Sequence, residues 1–122
     1  MKFYADVPDH QWLMIGSQAR QTATPKSDFD VVLRGVSRAD LEHPYFSDLL
    51  ARLRPHDAAG CGVLDLFLDM PERHRLENVF HPELAIDAGE QVYQRAFEGS
   101  IPMTPQHFMR ALAFFAQRGR VF

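Results

Sequence analysis

The sequence predicts an α/β chain of the α+β kind. Three short segments with strand character, Trp12–Ile15, Phe29–Leu33 and Gly62–Asp69, are interleaved with stretches whose apolar residues recur at helical spacing. At 122 residues the chain has the size of one domain, so residues 1–122 are expected to share a single core.

Met1 to Gln11 contains Pro8 and no helical apolar stripe, which predicts no helix ahead of the first strand. Trp12-Leu13-Met14-Ile15 reads as a short buried strand, and Gly16-Ser17 as the turn that leaves it. The second strand starts at Asp28-Phe29-Asp30. Because strand side chains alternate, Asp28 and Asp30 share one face, with α-carbons roughly 6.5 Å apart, while Phe29, Val31 and Leu33 share the apolar face.

Ser37 begins a helical region, with Asp40 three residues on to answer it as a reciprocal cap. Leu41, Phe46, Leu49, Leu50 and Leu53 supply its stripe. Pro44 divides it into a short turn and a main helix from about Tyr45 to Leu53, which ends before Pro55. This crossover helix is expected on the sheet face opposite the carboxylates. In the third strand Leu64, Leu66 and Leu68 lie on one face and Val63, Asp65, Phe67 and Asp69 on the other.

The polar stretch Met70 to Glu77 predicts a loop over the site, with Arg73 and Arg75 as cations in reach of it. Pro82 to Ala88 suits a short helix followed by Gly89, and Gln91-Val92-Tyr93 a brief edge strand; a helix running unbroken from Glu83 to Phe97 competes with both. In the last element Thr104 caps, Pro105 takes the first helical position, Phe108, Ala111, Leu112 and Phe115 form a stripe, and Gly119 is the stop. Met109 and Phe114 widen the apolar surface, which implies either a protein partner or second copy, or a helix spent entirely on covering the sheet.

Gly16-Ser17, ten residues, then Asp28-Phe29-Asp30 are the residues with chemistry in them. Two carboxylates on one strand face can hold two Mg²⁺ ions about 4 Å apart, the arrangement for in-line displacement at phosphorus. Glycine at position 16 lets backbone come close to a phosphate, and the Ser17 hydroxyl can donate to its oxygens. A mid-strand acid needs a partner, because burying a lone carboxylate costs several kcal/mol. Asp65 meets that need as the third metal ligand, reaching across the roughly 4.8 Å between adjacent strands. Asp69 shares its parity and is expected to be a solvated strand end.

Gly16-Ser17-Gln18-Ala19-Arg20 followed by Ser27-Asp28-Phe29-Asp30-Val31-Val32 resembles the signature of the DNA polymerase β-type nucleotidyltransferase superfamily, in particular its minimal nucleotidyltransferase branch. The resemblance covers residues 12 to 69 well and the remainder loosely. It implies a small mixed sheet flanked by helices, divalent metal, and transfer of a nucleoside monophosphate from a nucleoside triphosphate to a hydroxyl. Asp28, Asp30 and Asp65 would be the catalytic, metal-holding residues and Gly16 and Ser17 the grip on the triphosphate. Arg20 and Lys26 have the position and sign to neutralise phosphate charge, and Ser27 shapes the approach to Asp28. Gln21 departs from the pattern, since glycine commonly follows the Ala-Arg pair.

A net charge of −3 argues against tight binding to a nucleic-acid backbone, which needs clustered cations. The basic group Arg110, Arg118 and Arg120 reads as a solvated helix end. Cys61 is the single cysteine, so no internal disulfide forms, a cytoplasmic setting is expected, and the residue reads as a small core or strand-edge side chain. The six histidines are dispersed without zinc-site spacing. No membrane segment or signal peptide is expected.

Small chains with this signature resemble antitoxins that add adenylate to a tyrosine of a HEPN ribonuclease toxin, so ATP and such a toxin are the expected donor and partner. The alternatives are a dimeric small-molecule modifier akin to aminoglycoside nucleotidyltransferases, and a nucleotide-binding module that masks a partner with little catalysis.

Overall fold

The computed structural model describes residues 7–24 and 27–118. Among them β1 (Gln11–Ile15), α1 (Gly16–Arg20), β2 (Phe29–Arg34), α2 (Pro44–Leu53), β3 (Leu64–Met70), β4 (Arg75–Asn78), α3 (Glu90–Ala96), β5 (Ile101–Met103) and α4 (Pro105–Arg118) follow in order. The strands form one five-stranded mixed sheet, β4-β3-β2-β1-β5. Only β2 and β3 are parallel; the other neighbours run antiparallel.

The parallel pair requires a crossover, and α2 supplies it. Ser37 and Asp40 cap each other as expected, the Ser37 amide donating to the Asp40 carboxylate at 2.8 Å and the Asp40 amide to Ser37 Oγ at 3.1 Å. A single 3₁₀ turn, Ala39–Glu42, precedes the break at Pro44. The helix then starts at Pro44, where the His43 side chain accepts from the Tyr45 amide. Its Phe46, Leu49 and Leu53 are buried against Phe29, Val31 and Leu33 of β2.

Helix α4 covers the same face. Thr104 Oγ1 accepts from the His107 amide at 3.0 Å, and Phe108 stacks on Trp12 with ring centroids 4.4 Å apart. Phe108 and Leu112 are each buried, contributing roughly 1.5–3 kcal/mol apiece. The helix thus covers the sheet and still leaves Met109 and Phe114 exposed. Gly119 and Arg120 lie outside the described residues.

The opposite face carries a smaller apolar cluster, Leu13, Ile15, Val32, Phe67 and Leu76, roofed by Ile86, Tyr93, Ala96 and Phe97. That roof corrects the expectation of an edge strand at Gln91-Val92-Tyr93. These residues are helical, α3 begins after Gly89 in a positive-φ conformation (99°), and the expected Pro82–Ala88 helix shrinks to one turn at Pro82–Leu84. Neither strand nor long helix wins, because Gly89 separates two short segments and α3 rests on the sheet through Tyr93, Ala96 and Phe97.

Residues 70–77 are corrected likewise. Instead of a loop over the site they form a 3₁₀ turn and β4, pairing Asp69 with Leu76 and Met70 with Arg75. Arg75 is engaged by Asp87 at 2.7 Å and Glu77 at 3.2 Å, and with Arg73 it sits at the end of β3 remote from Asp65. Cys61 is exposed rather than a core or strand-edge residue. No helix among the described residues is long and apolar enough to cross a membrane.

Candidate active site

Three neighbouring strands bring the carboxylates to one place. Ile15 of β1 is the register partner of Asp30, and Asp30 is the parallel partner of Asp65. The chain leaves β1 at Gly16, which opens the one-turn helix α1 rather than a simple turn. Gly16 has φ +72°, and a Cβ there would overlap Asp30 Oδ2. Glycine is therefore demanded twice at this position, by the left-handed backbone and by the approach of the carboxylate.

Asp28 is exposed, whereas Asp30 and Asp65 are half-buried. The cluster is strongly coupled. Burial, followed by the charges of Asp65 and Asp28, pushes the Asp30 carboxyl up to about 7, with Arg20 acting the other way. Burial, then the Asp28 charge and a hydrogen bond with Asp28, raises Asp65 to about 6. Like charges held together out of water keep protons that solvated carboxylates would release.

Among the described residues, no three His, Cys, Asp or Glu side chains already stand in cation-holding geometry. The donor set nevertheless suits a hard divalent cation: it is all oxygen, partly desolvated, and short of positive charge. Asp28, Asp30 and Asp65 are the residues that would have to close on such an ion.

The remaining expected residues divide. Ser17 stands in the first turn of α1, and among the described residues its hydroxyl has no hydrogen-bond partner. Arg20 is exposed at the end of α1 and close enough to act on Asp30. Ser27 is occupied, its hydroxyl accepting from the Thr24 amide at 2.9 Å while its carbonyl accepts from Gln18 at 3.4 Å. These contacts shape the segment before Asp28. Lys26 lies outside the described residues. Gln21 takes φ 59°, ψ 32°, the left-handed conformation that favours glycine, so a glutamine stands at a position whose backbone suits glycine.

Asp69 is no solvated strand end. It is 6% exposed, accepting from Tyr93 OH at 2.6 Å and Arg34 Nε at 3.0 Å. It shares a face with Asp65 but sits four residues along β3, on the far side of the Val32 and Phe67 pair that α3 covers. Asp57 escaped the sequence reading altogether. It is buried, paired with His81 Nε2, and its charge adds to the rise at Asp65; a separation of 24 positions hides the pair from any local pattern.

Comparison with protein-family models, curated proteins and solved structures yields no match.

Proposed function

We propose that this protein is a nucleotidyltransferase of the polymerase β type, moving a nucleoside monophosphate, with ATP as donor, to an acceptor hydroxyl. One observation carries the reading: Asp30 and Asp65 stand side by side on parallel strands, coupled to Asp28, against the Gly16-Ser17 exit of β1. The resemblance of residues 12 to 69 to that superfamily supports it further.

Asp28, Asp30 and Asp65 would hold Mg²⁺. The ion supplies neutralisation of phosphate charge and a lowered pKa for the attacking hydroxyl. Ser17 Oγ and the amides that open α1 bind triphosphate oxygens, and Arg20 balances their charge. The bond between the α-phosphorus and the oxygen it shares with the β-phosphorus breaks, a bond from the acceptor oxygen to the α-phosphorus forms, the hydroxyl proton passes to solvent water, and pyrophosphate leaves with the bridging oxygen.

For the acceptor we propose a tyrosine hydroxyl on a partner protein of the HEPN toxin kind. The exposed Met109 and Phe114 on α4 favour a protein acceptor over a small molecule, since such side chains suit a docking surface. The test is incubation of the pure protein with α-labelled ATP and Mg²⁺, with and without lysate from its source. Label on one protein band, lost in Asp28→Ala, is the expected result. No label and no pyrophosphate with any of the four nucleotides overturns the assignment in favour of a partner-masking module.

A further inference from the structure

Helix α3 partitions the carboxylate-bearing face of the sheet. On one flank Tyr93 is bonded to Asp69, and the Arg34 guanidinium lies 4.6 Å from the Phe97 ring centre. These contacts hold that flank over the ends of β2 and β3 remote from Asp30 and Asp65. The other flank, Val92, Arg95 and Ala96, lines a cleft of about 420 Å³ with Ile86, Arg20 and Glu98.

Three features of this cleft point to one kind of ligand. Ile86, Val92 and Ala96 give it an apolar wall. The guanidinium groups of Arg20 and Arg95 have no ion pair or hydrogen bond among the described residues, so two cations outweigh the single carboxylate of Glu98. Arg20 belongs to the cleft and ends α1, the five-residue helix that Gly16 opens against Asp30, so the cleft borders the carboxylate cluster through α1. Its side chain is admitted there by Gly99, where a Cβ would come within 3.0 Å of Arg20 Cγ.

An apolar wall beneath two unpaired guanidinium groups suits a planar, apolar body carrying phosphates: guanidinium forks bind phosphate in bidentate fashion, and pockets of about 300–1,000 Å³ enclose ligands of this size. Resting on the nucleotidyl-transfer reading, we propose that this cleft seats the nucleoside of the triphosphate donor, with the base against Val92 and Ala96 and Arg95 as a second phosphate-binding arginine beside Arg20.

Calorimetry with Mg²⁺ and α,β-methylene-ATP, whose methylene bridge replaces the bond that transfer breaks, tests binding without turnover. Inorganic tripolyphosphate serves as the ligand without a nucleoside. Val92 and Arg95 are exposed, so Val92→Trp and Arg95→Gln should fold, which circular dichroism checks. Val92→Trp is expected to weaken the ATP analogue about tenfold and leave tripolyphosphate unchanged, while Arg95→Gln weakens both about tenfold. Analogue binding that neither variant alters overturns the cleft assignment alone. Failure of the wild type to bind either ligand overturns the nucleotidyl-transfer reading along with it.

Discussion

Asp30 stands directly beside Asp65 in the parallel register of β2 and β3. Strand neighbours in register lie about 4.8 Å apart, so two carboxyl groups on the same face of that pair cannot avoid each other. Their raised pKa values follow from this placement and from burial. Such a pair is a liability to the fold unless positive charge joins it, which is why these residues point to metal-dependent chemistry.

Asp30→Asn keeps the shape and removes the charge. If Asp30 is a metal ligand, transfer from ATP should fall by several kcal/mol of transition-state stabilisation, roughly a thousandfold. Thermal stability without metal should be equal or higher, because repulsion with Asp65 and Asp28 is relieved. Unchanged turnover in a single-turnover assay would remove Asp30 from the mechanism.

Metal-free protein should lose stability as pH rises. Both carboxyls have folded pKa values above the ordinary 3.8, near 7 for Asp30 and near 6 for Asp65. The native state thus binds more protons than the unfolded state between these limits, and the stabilisation present at low pH disappears as pH rises through 6 to 7. Melting temperatures in EDTA from about pH 5.5 to 8 should show this fall, and Asp30→Asn should flatten it. Mg²⁺ should raise the melting temperature most at the alkaline end, where the carboxylates are free to take it.

Gly16→Ala should cost roughly 1–3 kcal/mol in chemical denaturation, because the new methyl meets Asp30 Oδ2 and the backbone keeps φ +72°. Part of that cost belongs to the carboxylate. In an Asp30→Ala background the same substitution should therefore be milder, leaving mainly the backbone term; equal costs in both backgrounds would deny the contact.

Gln21→Gly should stabilise the protein. Gln21 sits at φ 59° at the end of α1, and a side chain in that region costs about 1 kcal/mol, partly offset by the greater unfolded-state freedom of glycine. A net gain of roughly 0.5 kcal/mol is expected. A loss of stability would show that the glutamine side chain makes up for its backbone.

Tyr93→Phe removes one of the two hydrogen bonds to the buried Asp69 carboxylate. Leaving that oxygen without its donor should cost roughly 1–3 kcal/mol. Because Tyr93 also anchors α3, amide hydrogen exchange should quicken in α3 before it quickens in β2 or β3. Uniform exchange would indicate that the bond holds the whole fold and not this helix.

The sequence by itself determined the strands β1, β2 and β3, the helices α2 and α4, and the grouping of Asp30 with Asp65 on one face. Each of these elements is periodic because one side meets a core: Phe29, Val31 and Leu33 alternate, and Phe46, Leu49 and Leu53 recur by turns. Tertiary structure decided the rest. β4 is a polar edge strand, and β5 is only three residues long with Pro102 inside it, so neither has a pattern strong enough to read. α3 contains no fully buried residue, and its local preference for β structure yields to the sheet it rests on. The burial of Asp69 depends on Arg34, 35 residues earlier, and Tyr93, 24 residues later. Alternation tells which face a side chain takes; only the packed chain decides what meets it there, since partners that far apart are brought together by the sheet and not by local geometry.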